Sequence, residues 1–273
     1  MGESDRHFTR AGYRELLVEL LEGGYTFRFF DEAQQLLSLD KPFVLLRHDL
    51  DVSVQEALPL AEIERELGIQ STFFVRVQNS FYNPFSPDES SIIWDLLKMG
   101  HKIGLHFDTS LYAGFASPEE IAAGCAKEIS LLEVWFETNI EIVSFHRPTS
   151  EDLQAEASLT AGVPHTYLPL YVDRIAYCSD SSGQWRFGHP MERDAVKNRR
   201  PFQLLVHPIW WRTEPQTPHA TLEAFALDRS SRFKVALADE PLIRAVKYCA
   251  PFFQLPHSVR SMSSMEFRHP PLV

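Results

Sequence analysis

The sequence predicts an α/β protein with a mainly parallel sheet, either a barrel or a doubly wound sheet, on three observations. Short apolar runs alternate with amphipathic stretches at helical spacing, the rhythm of strand-helix-strand units. The amphipathic stretches stop at glycines such as Gly68 and Gly100, after which the period of the pattern changes. Several apolar runs break off on ionisable residues, and in parallel α/β folds the C-terminal ends of strands are where sites are assembled. At 273 residues the chain can bury a sizeable core and suits one barrel-sized domain with terminal additions.

Taken in order, residues 10–23 (RAGYRELLVELLEG) place apolar side chains at helical spacing and stop at Gly23-Gly24, a helix with its terminator. Residues 25–30 read as a short strand and 31–39 (DEAQQLLSL) as a second helix. With no reactive cluster, residues 1–40 are expected to form an N-terminal helical cap, bounded by Asp40-Lys41-Pro42. The core is expected over 41–214: strand 43–49, helix 54–67, strand 71–77, a turn-rich loop (NSFYNPFSPDES), helix 89–99, strand 101–107, helix 118–137 and strand 140–146. Ser117 followed by Pro118, Glu119 and Glu120 is a well-formed helix start. Beyond residue 150 the pattern is less regular, with strands expected at 176–179, 184–187 and 202–207. Residues 215–273 are expected to be a C-terminal extension packed on the barrel, helical around 219–248.

The bulk numbers exclude several functions. A net charge of −11 and a pI near 5.5 argue against nucleic acid as a partner, because that needs clustered Lys and Arg. Lys197, Arg199 and Arg200 make one short basic patch. Three cysteines (Cys125, Cys178, Cys249) with no CxxC pair point to free thiols in a reducing compartment. The N-terminus lacks an apolar signal core, and no run approaches the ~18–20 apolar residues of a transmembrane segment. The expectation is a cytoplasmic protein; oligomeric state is not legible. No GxxxxGK, GxGxxG or HExxH pattern is present, which removes nucleotide hydrolysis, dinucleotide redox chemistry and zincin proteolysis as leading ideas.

The chemistry starts where Phe43-Val44-Leu45-Leu46 gives way to Arg47-His48-Asp49-Leu50-Asp51. The apolar run reads as a buried strand, so the charged cluster is expected where the strand leaves the sheet. Asp49 and Asp51 project to one face of an extended strand, where repulsion raises one pKa unless a cation lies between them. The plain alternative is that Asp51 or Ser53 caps a helix beginning near Val54. Three further strand ends deliver His106 with Asp108, His146-Arg147-Pro148, and His207-Pro208. A lone strand-end histidine is more often structural, but four such ends in one parallel fold favour a metal or acid/base site. Carboxylate and imidazole donors suit a divalent metal such as zinc with a position left for water. A free carboxylate would then take the water's proton and a histidine would protonate the leaving group, which is amide or ester hydrolysis.

The order HDLD, GIQSTFF, GHKIGLH, HRP, SDSSGQW, LLVHP over about residues 43–211 resembles the polysaccharide deacetylases of the chitooligosaccharide-deacetylase (NodB-like) type, carbohydrate esterase family 4. The resemblance implies a distorted (β/α) barrel of about seven strands, a zinc or related ion, and removal of N- or O-acetyl groups from sugars. It implies Asp49 as catalytic base, Asp51 and His106 as metal ligands and Arg147 as the arginine that orients the base. It further implies Asp180 and Trp185 as the block that supports the acid, and His207 as the acid. In the family the metal histidines stand four apart, whereas the position four after His106 is Ser110, so Asp108, His146 or water must supply the third bond, and His146, beside the matched Arg147, is the expected ligand. The spacing from Asp180 to Trp185 is also wider than usual. The departures suggest a divergent branch acting on an activated or lipid-linked sugar in bacterial surface-polysaccharide biosynthesis. Two alternatives stay open: a non-catalytic sugar-binding descendant, and a hydrolase of a non-sugar C–N bond such as a cyclic amide. Tyr82-Asn83-Pro84-Phe85 and Trp210-Trp211 are candidates for stacking on a sugar ring. Arg186, Arg199, Arg200 and Arg212 are candidates for holding a substrate phosphate, and Cys178 is expected to be core.

Overall fold

The computed structural model describes residues 8–39, 41–112, 117–186 and 188–240. The chain divides into two compact units, Met1–Pro218 and His219–Val273. The first unit is an α/β half-barrel. Seven strands form one parallel sheet: β1 (Thr26–Arg28), β2 (Phe43–Leu50), β3 (Thr72–Val75), β4 (Lys102–Phe107), β5 (Val143–Phe145), β6 (Ala176–Ser179) and β7 (Phe202–Val206). Their order is β5-β4-β3-β2-β7-β6, with β1 on β2. The connecting helices are α1 (Arg10–Glu22), the short α2 (Ala33–Leu36), α3 (Ala57–Glu66), α4 (Pro87–Lys98), α5 (Pro118–Phe136), and the short α6 (Pro169–Val172) and α7 (Asp194–Lys197). Of the second unit, α8 (Pro218–Asp239) is the described helix. The rest of the expected extension, including Cys249 and the helical stretch to 248, lies outside the described residues, as does the start of the expected cap.

β2 is the middle of the sheet because its residues satisfy a strand buried on both faces. All eight are buried, as the near-continuous apolar run requires of a parallel interior strand. β7 lies along one edge through Val44–His48, while β1 and β3 divide the other edge between Phe43–Leu45 and Arg47–Leu50. Residues 8–39, expected as a cap, therefore also supply a strand to the sheet.

Alternation along β2 sorts its charged residues between two faces. Val44, Leu46 and His48 face the helices, where Val44 and Leu46 share a core with Tyr13, Leu16, Leu17 and Leu60. His48 stacks on Phe73 at 4.2 Å and sits 2.8 Å from Glu64 Oε1. Glu64 also accepts from Tyr13 Oη at 2.6 Å and Ser71 Oγ at 2.5 Å, and is completely buried. Burial pushes its carboxyl up, and the charge and hydrogen bond of His48 outweigh that to hold it below the usual range. His48 is thus a core histidine, one member of a buried polar network that joins α1, α3 and β2. Phe43 and Leu45 point the other way, into a cluster with Phe74, Ile142, Tyr171 and Ile175, and Arg47 and Asp49 follow them onto that inner face.

Two glycines explain part of the GHKIGLH segment. Gly100, at φ +88°, ends α4 in the left-handed conformation. At Gly104 a Cβ would stand 2.7 Å from the Phe74 ring and 2.9 Å from Ile142 O, so the absence of a side chain lets Phe74 fill the interior. Two sequence expectations are corrected. α3 begins at Ala57 with no side-chain cap, so neither Asp51 nor Ser53 caps a helix at Val54. Residues 184–187 form no strand over their described part, because Ser182 (φ +62°), Gly183 (φ +69°) and Gly188 (φ +82°) fold the chain into turns on either side.

Candidate active site

Because every strand runs the same way, the ends of β2, β4, β5 and β7 open at one edge of the sheet. There Asp49, Asp51, His106, His146 and His207 line one cleft of about 850 Å³, a volume suited to a small organic ligand. Segments as far apart as residues 49 and 207 in the chain thus meet in a single pocket.

Asp51, one residue past β2, is the centre of the cluster. Its Oδ1 is 2.9 Å from His106 Nε2 and 3.1 Å from His146 Nδ1. One ligand atom from each of the three lies within 4.8 Å of the others. Two donors ~2.1 Å from one ion and at right angles to each other would stand ~3.0 Å apart, so the set fits a divalent ion held by one carboxylate and two imidazoles. The other nitrogen of His106 supports this use, since Ser144 Oγ, 2.6 Å from Nδ1, can accept its proton and leave the Nε2 lone pair facing Asp51. Burial pushes the Asp51 carboxyl up, but hydrogen bonds from His106 and His146, with the charges of His106 and His207, hold it well below the usual carboxylate range.

The candidate third donor is the ring of His146. Asp108 is engaged elsewhere: Arg76 Nη2 reaches its Oδ2 at 2.6 Å, and Ser110 donates to its Oδ1 from both its amide and its hydroxyl, at 3.2 and 2.6 Å. Ser110, four residues after His106, therefore turns onto Asp108 and away from the donor cluster. Asp108 Oδ2 lies 3.9 Å from His146 Nε2, behind the imidazole.

Asp49 sits beside the cluster, its Oδ2 3.6 Å from His106 Nε2. It is only 3% exposed, and Arg47 grips it in two-pronged fashion, Nε on Oδ1 at 2.8 Å and Nη2 on Oδ2 at 2.7 Å. Arg47 also donates to Thr166 Oγ1 (3.0 Å), Gln203 Oε1 (3.2 Å) and Ser144 Oγ (2.8 Å). Burial pushes the Asp49 carboxyl up, and Arg47, followed by His106 and His207, outweighs it to keep the acid below its usual range. The expected partner of Asp49, Arg147, makes no ion pair among the described residues. β5 stops at Phe145, and the φ of +51° at Arg147 turns its exposed side chain along the cleft wall instead of toward Asp49. The residue that orients the carboxylate is Arg47, which alternation puts on the same strand face two positions earlier.

His207, at the end of the neighbouring strand β7, has Nε2 3.7 Å from Asp51 Oδ2. Asp180, entirely buried behind it, sits 2.6 Å from His207 Nδ1 and accepts from the His207 amide at 2.9 and 3.0 Å. Burial pulls the imidazole down, but the charge and hydrogen bond of Asp180, then Asp51 and Asp49, push His207 up to about 9. Trp211 Nε1 donates to Asp180 Oδ2 at 2.8 Å. Trp185, expected to support this pair, instead packs its indole against Phe8 and Trp211 at 5.4 and 6.0 Å.

Of the stacking candidates, Trp210 lines the cleft, whereas Trp211 is buried. Tyr82 is buried with its hydroxyl on Leu50 O, and Phe85 packs on Trp135 and Phe136; Phe81 is the residue of that loop that lines the cleft. Of the four arginines, Arg186 lines the cleft, and Arg212 is paired with Glu56. Cys178 is buried, its thiol pushed up to about 11 by burial. No helix among the described residues is long and apolar enough to cross a membrane.

No family model matches the sequence, and no curated protein matches it. Solved structures do match. A Streptococcus pyogenes deacetylase in complex with acetate is 13% identical with a TM-score of 0.45, over 79% of this chain and 86% of its own. A chitin deacetylase from the fungal pathogen Colletotrichum lindemuthianum is 13% identical with a TM-score of 0.44, over 70% of this chain and 84% of its own. A carbohydrate esterase family 4 pseudoenzyme from Bacillus anthracis is 12% identical with a TM-score of 0.42, over 71% of this chain; this chain spans 62% of that one. The structural neighbours are thus carbohydrate esterase family 4 proteins, both deacetylases and a pseudoenzyme.

Proposed function

We propose that the protein is a metal-dependent hydrolase that removes an N- or O-acetyl group from a sugar, in the form of an activated or lipid-linked sugar of surface-polysaccharide biosynthesis. The observation that supports this most is the pair of buttressed groups beside the donor cluster, Asp49 clamped by Arg47 and His207 clamped by Asp180. Two titratable groups pushed in opposite directions, an acid held ionised and an imidazole held protonated, are what a base and an acid acting on one bond require.

In this reading Asp51, His106 and His146 hold the ion, zinc being the candidate for an oxygen-and-nitrogen donor set. A divalent ion held there supplies Lewis acidity to the acyl carbonyl and to water. Asp49 accepts the proton of the water whose oxygen bonds to the acyl carbon. His207 donates its proton to the nitrogen or oxygen that leaves as the acyl bond breaks, so acetate and the free amine or alcohol result. Asp180 fixes which ring nitrogen faces the cleft. Arg47 keeps Asp49 ionised and immobile.

The test is Asp49→Asn. Acetate release should fall by roughly two to four orders of magnitude while the bound ion is retained, and full activity would refute the base assignment. Protein purified without chelator that holds no ion, and gains nothing from added zinc, would favour the non-catalytic sugar-binding reading. Turnover of cyclic imides without acetate release from acetylated sugars would favour the cyclic-amide reading.

A further inference from the structure

The charge around the cleft runs against that of the chain. The protein carries −11 overall, yet among the described residues the cleft is lined by two carboxylates, Asp49 and Asp51, against Arg76, Arg147 and Arg186. Both carboxylates are committed inward, Asp49 to buried Arg47 and Asp51 to His106 and His146. Arg76 has Asp108 as its partner, whereas no acid is paired with Arg147 or Arg186 among the described residues.

The three arginines differ in how far their charge is spent. Arg76 is 8% exposed and pairs with Asp108, but its Nε has no hydrogen-bond partner. Arg147 and Arg186 are exposed and make no ion pair among the described residues; Arg186 donates to Ser182 Oγ at 3.3 Å. Exposed arginines are ordinary on a surface. These two stand on the wall of a concave cleft that also presents Tyr167 and Trp210. Arg147 and Ser182 are held there at φ +51° and +62°, conformations that cost a non-glycine residue energy and recur at ligand sites. A guanidinium fork matches a phosphate or carboxylate in shape as well as charge.

On the reading that this cleft is a deacetylase site, we infer that its substrate is an anion, an acetylated sugar bearing a phosphate or carboxylate that Arg147 and Arg186 engage beside the donor cluster. A neutral polysaccharide would leave both guanidinium groups without a counter-charge.

Calorimetric titration tests this in the zinc-loaded Asp49→Asn protein, so that turnover does not consume the probe. Three probes separate the cases: N-acetylglucosamine 1-phosphate, N-acetylmuramate and the neutral methyl glycoside of N-acetylglucosamine. At least one anion should bind about tenfold or more tightly than the neutral sugar, and which anion does so distinguishes phosphate from carboxylate. Adding Arg147→Gln and Arg186→Gln together should erase that preference, while Arg14→Gln, a surface exchange near Glu66, should leave it. Equal affinity for all three probes, no binding of either anion, or a preference that survives loss of both arginines because the ion holds the anion, would overturn the inference. An intact arginine-dependent preference with no acetate released from any probe by the wild type would instead remove the hydrolase reading and leave the anion site.

Discussion

Replacing Arg47 with methionine should cost stability out of proportion to the size of the change. Arg47 is fully buried and donates five hydrogen bonds, two of them to Asp49. Methionine fills most of the space but leaves a 3% exposed carboxylate without its counter-charge. Breaking one half of a buried ion pair costs about 3 to 5 kcal/mol. At roughly 2 to 4 °C per kcal/mol for a chain of about this size, Tm should drop by roughly 6 to 20 °C. The double variant Arg47→Met/Asp49→Leu removes both charges and should recover much of that loss, because the penalty comes from the stranded carboxylate and not from the missing bonds. Urea denaturation of wild type, both single variants and the double variant, with chelator present so that no metal contributes, gives the coupling directly; about 2 to 3 kcal/mol is expected. A double variant no more stable than Arg47→Met, or a single variant within about 1 kcal/mol of wild type, would refute the claim that Arg47 exists to hold Asp49.

Ser110→Ala should leave zinc affinity intact, since Ser110 addresses Asp108, whereas His146→Ala should weaken zinc by about a hundredfold or more; dye-competition titration reads both, and equal losses would contradict the donor set. Asp180→Asn should lower the rate of acetate release by roughly two to four orders of magnitude with little change in bound metal, and an unaltered rate would disconnect Asp180 from His207. Glu64→Gln, on the helix side of β2, should reduce unfolding free energy by about 3 kcal/mol with no loss of zinc binding, read by denaturation and metal titration on one sample. Burial, opposed by Glu64, holds His101 below the ordinary histidine value of 6.5, so on acidification the unfolded chain takes the proton first. Stability should therefore decline as pH falls below about 7, and His101→Gln should flatten that slope; an unchanged slope would rule His101 out as its source.

The sheet was legible because its physics is local. A run such as Phe43-Val44-Leu45-Leu46 has no good use other than a buried strand, and Ser117-Pro118-Glu119-Glu120 makes a capping box that the structure contains. The loop 184–187 misled because Trp185 supplies strand-like apolar character while the left-handed Ser182, Gly183 and Gly188 decide its path. For the site, strand ends carrying Asp and His were visible, and parallel topology brings them together.

What the linear pattern obscured was the identity of the buttresses. The family resemblance points to Arg147 as the orienting arginine, yet Arg147 leaves along the cleft wall. Arg47 was in view throughout, and strict alternation along β2 would have assigned it to the face of Asp49 and His48 to the opposite one. Ser144, Thr166 and Gln203 left no signal, and Trp211 reads in the sequence as a stacking candidate and not as a donor to Asp180, since these roles depend on neighbours distant in the chain.

The central claim is that one ion is shared by Asp51, His106 and His146, with Asp49 and His207 standing free of it. A crystal grown with zinc and measured at the zinc absorption edge tests it most directly. A single anomalous peak within about 2.2 Å of Asp51 Oδ1, His106 Nε2 and His146 Nδ1 is expected. A peak bound by Asp49 or His207, or no peak in the cleft, would contradict the account.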